Sequence, residues 1–444
     1  MILSLLVFFY ACKKKEDEVK VLKVEVQLQT QGNTSDPLEG IVVKLTSSGA
    51  SFEESTDANG KVLFNVPTGI YEVSATTTRS VNGIAQIFNW AENNIIINDQ
   101  WGTPSYTGGH PGGATGTITL LPAISEASQI VIKELFVGGT PRDDGSGAFQ
   151  FDKYIILYNN SDAPANLGNL CLAMIAPFNA QASNSFYGTD GKLIYESENW
   201  IPAAQGYWYF QQNVTVQPGE QIVIALNNAV NNTLTYSKSI NFDNPAYYAT
   251  YDLEQYPNAS YYPSPAASIP SNHYLKAQRY ASGNAWSVSV SSPGVFIFDP
   301  KGTTPVAFAA DASATHVPSL AAYTSKKVPV SWVVDGLEAF VMNNDNNQKR
   351  FLPSVDAGYV YHLNNQGYSI YRNVDKDATE ALEENTGKLV YNYNGGTSDV
   401  GGSTDPSGID AEASIRNGAR IIYKDTNNSS NDFHLRKTAS LSNN

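Results

Sequence analysis

The side chains that most often carry chemistry are thinly spread in this sequence. Its five histidines are His110, His273, His316, His362 and His434. None pairs at zinc-finger spacing or within an HExxH helix, so each is expected to be a loop or surface residue and not a ligand. No Gly-x-Ser-x-Gly elbow and no phosphate-binding loop occur. The glycine-rich stretch from Gly138 to Gly147 lacks the P-loop lysine and a following helix, and reads as a hairpin loop. Asp143, Asp144, Asp152, Glu196 and Glu198 could supply the paired carboxylates of glycoside hydrolysis, a pairing that is spatial and not sequential. Any acidic chain offers such pairs, and no catalytic activity is expected from them. Asp425, Asn427 and Ser429 alternate, with Asp432 nearby, as the oxygen ligands of a calcium loop do. The glycine and glutamate that complete such a loop are missing, so a satisfied polar turn is the expected reading and calcium the weaker candidate.

The densest feature is aromatic. Tyr247, Tyr248, Tyr251, Tyr256, Tyr261, Tyr262 and Tyr274 share one stretch broken by Pro257, Pro263, Pro265 and Pro270, with Trp200, Tyr207, Trp208, Tyr209 and Trp286 on either side. Prolines at this density exclude a long central strand or helix, which places the rings on loops. Two readings stay open. The rings form a platform for a glycan, haem or peptide, or they pack a long insertion onto the fold with each hydroxyl finding a partner. The candidate binding residues on the first reading are Tyr247, Tyr248, Tyr251, Tyr256, Tyr261, Tyr262, Trp208 and Trp286.

The elements that must hold these residues are strands. With 26 Tyr, 34 Gly and 22 Pro against 3 Met in 444 residues, the composition is that of sheets and turns. The length allows two to four domains at roughly 100–200 residues each. A net charge of −14 argues against nucleic acid as a partner, because phosphate binding needs a basic surface. The two cysteines, Cys12 and Cys171, are too few for a zinc-thiolate site. Cys171 lies in the apolar run 170–175 and reads as an inert core thiol. No cofactor is implied.

From Val21 onward, Leu22, Val24, Val26 and Leu28 alternate with polar residues, the period of a half-buried strand. Ile41, Val43 and Leu45 repeat the pattern, and Asn59-Gly60 supplies a tight turn. Asp57, Asn59-Gly60, Phe64, Val66-Pro67, Gly69, Tyr71 and Val73 together resemble the transthyretin-like, carboxypeptidase-regulatory β-sandwich over residues 21–125. Within it, Asn98 to Gly116, with Trp101, Tyr106 and His110, reads as a long exposed loop before a last strand at 117–121. A second unit, 126–444, starts with a strand at 130–136 and a block at 154–162, a strand running into a turn. It continues with a Pro218-Gly219 turn joining strands at 214–225, then Ser369-Ile370-Tyr371-Arg372, and ends near Asp425–Phe433. These blocks in this order resemble an enlarged lamin-tail-like β-sandwich. Residues 176–213 and 229–366 would be long insertions or an added subdomain. The run 403–415 is the best short-helix candidate, with Pro406 near its start and Ile409, Ala413 and Ile415 facing inward. The expected fold is therefore all-β, in two domains.

The N-terminus carries a short apolar run ending in Phe9-Tyr10-Ala11-Cys12, then Lys13-Lys14-Lys15-Glu16-Asp17-Glu18. A small residue before a cysteine, after an apolar run too short to span a bilayer, resembles a bacterial lipobox. Residues 1–11 would be the signal peptide, Cys12 the lipidated residue and 12–20 a tether. The layout as a whole resembles the DUF4876 type of Bacteroidetes surface lipoprotein of undefined function. That resemblance implies an outer-membrane protein facing the cell exterior, without catalytic activity. It also implies a TonB-dependent receptor as partner in capturing a nutrient. The rival expectation is an adhesion or structural protein with no transported ligand.

Overall fold

The computed structural model describes residues 20–31, 37–47, 50–81, 84–103, 116–399 and 402–442. The chain opens with β1 (Val21–Leu28), where Val24, Val26 and Leu28 are buried and their neighbours less so. β2 (Val42–Ser47), β3 (Ala50–Ser55), β4 (Lys61–Pro67), β5 (Gly69–Val81), β6 (Ile84–Ile97), β7 (Thr117–Leu120) and β8 (Ala123–Glu126) follow. β4, β1 and β7 form one sheet; β3, β2, β5, β6 and β8 form the other. Gly60 makes the turn into β4 at φ 75°, a backbone conformation that a Cβ disfavours. The two sheets close on Val26, Phe64, Val73 and Trp90, the sandwich expected for this segment. Trp101 corrects the reading of its loop. A turn between Asn98 and Trp101 folds the chain back, and the indole is buried in that core. Tyr106 and His110 lie outside the described residues.

β9 (Ile130–Phe136) is buried along its whole length, as a strand covered on both faces must be. β10 (Thr140–Pro141) and β11 (Ala148–Phe149) close the glycine-rich hairpin. Next come β12 (Tyr154–Asn159), β13 (Ala165–Asn166), β14 (Cys171–Ile175), β15 (Trp200–Tyr209), β16 (Thr215–Val216) and β17 (Gln221–Ala225). The Pro218-Gly219 turn does not make a hairpin of its two strands: β16 pairs with β13, and β17 with β12. The remaining strands are β18 (Tyr248–Thr250), β19 (Tyr274–Arg279), β20 (Gly294–Phe298), β21 (Thr315–His316), β22 (Ser325–Pro329), β23 (Val333–Val341), β24 (Val360–His362), β25 (Ser369–Arg372) and β26 (Phe433–Arg436).

Among the described residues, fourteen of these strands share one sheet. Its order is β24-β23-β20-β14-β15-β19-β18-β17-β12-β9-β25-β26, with β22 and β21 branching from β15. A sheet this wide curls. This one folds back on itself, setting β23 against β9 and β24 against β26. Ile132, Cys171, Trp208, Phe296 and Leu337 fill the space between the layers. Residues 176–213 and 229–366 therefore do not form an added subdomain, because β15 and β18 to β24 are members of that same sheet.

Helix is scarce: α1 (Pro305–Ala310), α2 (Lys376–Glu380), α3 (Ala411–Arg416) and α4 (Ser429–Asp432). α3 is the helix expected within 403–415, but it starts later than Pro406 suggests. Asp410 caps it by accepting from the Ala413 amide at 2.9 Å, and its buried residues are Ala411 and Ser414. Ile409, fully buried, sits just ahead of it, Ile415 packs at the core's margin, and Ala413 is only half-buried.

Candidate functional site

Cys12 lies outside the described residues. Cys171 is buried, and burial pushes its thiol well up, as an inert core cysteine should show. Two histidines correct the surface reading. His362 and His434 are buried, and burial lowers them to about 4 and about 3. His434 spans Asn373 at 2.8 Å and the Tyr393 hydroxyl at 2.7 Å. The five carboxylates considered for hydrolysis have separate partners. Asp143 takes the amide and hydroxyl of Ser237, Asp144 the Ser146 amide, Asp152 the hydroxyls of Thr140 and Ser239, Glu196 faces Lys192, and Glu198 faces Lys327.

The calcium-like run does other work. Asp425 and Asp432 turn toward the buried guanidinium of Arg372, at 3.6 and 3.8 Å, and Asp335 contacts the same group. Asp432 also accepts from the Thr426 amide and hydroxyl, and the Ser429 hydroxyl donates to Asp356 at 2.6 Å. The cation that Asp425 and Asp432 face at this turn is an arginine. Asn427 points outward: its amide donates to Ser125 at 2.7 Å, while Asn428 reaches Thr76 at 3.3 Å. From the first sandwich, the fully buried Asn89 donates to the carbonyls of Thr426 and Asn427 at 2.9 and 3.2 Å. The turn is the clasp between the two domains.

The tyrosine stretch divides. Trp208, Tyr256, Tyr262 and Trp286 are core: Trp208 stacks on Tyr256 and meets Tyr262 at a tilt, and the Trp286 amide donates to the Tyr262 hydroxyl at 2.9 Å; Tyr248 is buried against Phe210 and His273. The prolines keep residues 251–273 out of the sheet, between β18 and β19, and the buried rings seal this segment onto β15. They offer no platform. Tyr247, Tyr251 and Tyr261 keep part of their surface.

Aromatic surface gathers elsewhere, where the clasp leaves an opening. A cleft of about 570 Å³ runs between the domains, walled by Tyr71 and Glu72 on one side and Phe340, Tyr359 and Tyr361 on the other, with Asn344 and Asp345 at its rim. Parallel pairing of β23 with β24 sets Phe340 opposite Tyr361. Tyr359 stacks on Phe340 at 4.1 Å and meets Tyr361 edge-on at 5.3 Å. Glu72 keeps the alternation of β5, opposite in direction to the buried Tyr71 and Val73, while the register shift lies in β6: Tyr71 pairs with Ile95 and Val73 with Glu92, and the extra residue is accommodated at Asn94, φ 60°. Burial against the second domain pushes its carboxyl up to about 7, opposed by Lys349 and by the Tyr359 hydroxyl. A smaller hollow, about 280 Å³, continues the groove past Lys44 and Phe433 and shares Glu72, Tyr359 and Tyr361. Rings flanked by amides and a carboxyl suit a ligand with both apolar faces and hydroxyls. The sequence reading missed this wall. Its one local trace is the Tyr359-x-Tyr361 alternation; the surroundings of Glu72 depend on domain docking, which is not local.

The family model for proteins of unknown function DUF4876 matches residues 217–440, just over half of the 444. No curated protein matches the chain. Among solved structures, the crystal structure of a DUF4876 family protein from Bacteroides thetaiotaomicron is similar. It shows 18% identity over 93% of this chain and 94% of that one, with a TM-score of 0.48. With the family model spanning the second sandwich from the Pro218-Gly219 turn to beyond β26, the chain belongs to the DUF4876 family, whose function is undefined.

Proposed function

We propose that this chain is a lipid-anchored protein of the outer-membrane surface that binds a glycan without transforming it, and passes it to a TonB-dependent receptor. The observation that carries the reading is the inter-domain cleft with its Phe340, Tyr359 and Tyr361 wall. Stacked aromatic edges beside amides and a carboxyl match a sugar, which presents C–H faces and a ring of hydroxyls. Haem suits it less, because the lining offers iron only oxygen ligands, from tyrosines and the carboxylates of Glu72 and Asp345, and no His, Cys or Met. The volume falls within the usual range for small-molecule sites, roughly 300–1,000 Å³. Membrane attachment rests on the Ala11-Cys12 junction. The test is calorimetric titration with a panel of oligosaccharides, using wild type and a Tyr359→Ala, Tyr361→Ala double variant. Saturable binding that weakens at least tenfold in the variant supports the reading. Binding that the variant leaves unchanged, or turnover of the sugar, removes it.

A further inference from the structure

A second cleft, of about 360 Å³, opens at one end of the larger sandwich and shares no residue with the inter-domain groove. Loops from both layers meet there. Lys153 precedes β12 and Asn227 follows β17; the two strands are antiparallel neighbours, and the Leu226 amide donates to the Lys153 carbonyl at 2.9 Å. Asn179 follows β14, and Val288 lies ahead of β20. Arg350 stiffens this end by donating to the carbonyls of Pro177, Phe178 and Ser292 at 3.0, 3.0 and 3.1 Å, while its Nε holds Glu338 at 2.8 Å.

The polar groups on this lining are donors in excess. Lys153 is 6% exposed, yet its ammonium makes one hydrogen bond, to the Val288 carbonyl at 3.1 Å, and among the described residues it has no carboxylate within ion-pair distance. Its sequence neighbour Asp152 is committed to Thr140 and Ser239. Burial lowers the Lys153 ammonium to about 8, the mark of a cation short of compensation. Asn227 is 5% exposed, and its Nδ2 has no partner at all. Asn179 spends its Oδ1 on the Ser289 hydroxyl, which leaves its amide nitrogen as a further donor. No Asp or Glu lines the cleft, although the chain carries a net charge of −14. Phe151 and Tyr261, edge to face at 5.5 Å, and Phe178 provide apolar walls.

A buried ammonium with a single acceptor and a buried amide nitrogen with none are costly, and a ligand that completes them offsets that cost. We infer that this cleft binds a small carboxylate attached to a ring, with the carboxylate received by Lys153 and Asn227 and the ring laid against Phe151 and Tyr261. The charge-assisted contacts would give Lys153 the anionic partner, and Asn227 the acceptor, that the lining lacks. The same chemistry is offered by a sugar acid and by an aromatic acid. This inference does not rest on the inter-domain cleft or on the glycan reading.

The experiment is isothermal titration of the full chain with glucuronate and with phenylacetate, each beside its neutral counterpart, glucose and phenylacetamide. At least one acid is expected to bind saturably, at least tenfold more tightly than its neutral partner, and whichever acid binds identifies the source. Asn227→Ala should weaken the acid severalfold, and Lys153→Met should erase the preference for acid over neutral partner. The wild-type comparison stands even where a variant fails to fold. No binding by either acid, or equal binding of acid and neutral partner, overturns the assignment.

Discussion

Glu72 shows how far one residue depends on its surroundings. On an isolated sandwich it would be an exposed strand carboxylate. Docking of the second domain half-buries it, and its carboxyl rises from 4.5 to about 7. An acid raised in the folded state contributes stability that is complete below the unfolded value, near pH 4.5, and is lost as pH rises through about 7. Glu72→Gln, a neutral mimic of the protonated acid, is therefore expected to match wild type near pH 5. It should exceed it near pH 8 by about 1–3 kcal/mol, taking about 1.4 kcal/mol per unit and allowing for the part that solvent screens. Melting curves of both proteins from pH 5 to 8 check this; a gap that does not widen with pH would mean that Glu72 is not buried as described. The cysteine and histidines teach the same point from the other side. Cys171 could be placed from its apolar run, but nothing near His362 or His434 in sequence announces their burial.

Elements differ in how openly the sequence declares them. β1, β2, β4 and the start of β5 keep one face wet, so their alternation survives and can be read directly. β6 loses its alternation at Ile87, Phe88, Asn89 and Trp90, all buried, because the second domain covers the face that would have been polar. The 425–433 segment resembled a calcium loop because metal sites and domain clasps both require convergent oxygens. Which one is built depends on whether Arg372 stands behind the turn. Asn89→Leu tests the clasp. It removes the donor to Thr426 and Asn427 and leaves their carbonyls unsatisfied, at a cost of about 1–3 kcal/mol. In differential scanning calorimetry the first sandwich should then melt ahead of the second, where a single transition is expected of wild type. A variant with an unaltered single transition would show that the clasp does not couple the domains.

At the scale of the whole molecule, two sandwiches are joined so that their seam forms a groove, and the larger one is a single folded-over sheet. Among the described residues no helix is long and apolar enough to cross a membrane. Attachment through Cys12 is thus a separate expectation with its own measurement: a Cys12→Ala form should move from the membrane fraction to the soluble one. If it still sediments with membranes, the lipid anchor is the wrong account. The sequence by itself determined the all-β class, the two-part organisation, the inert Cys171 and strands such as those that begin at Val21, Ile130 and Tyr154. Each follows from composition or from a period of two along the chain, and both are local. Tertiary structure alone decided that residues 176–213 and 229–366 extend one sheet, that Trp208, Tyr256, Tyr262 and Trp286 are core, and that Phe340, Tyr359 and Tyr361 face a cleft. Whether a ring is covered or open depends on what packs against it from hundreds of residues away, and no local pattern encodes that partner.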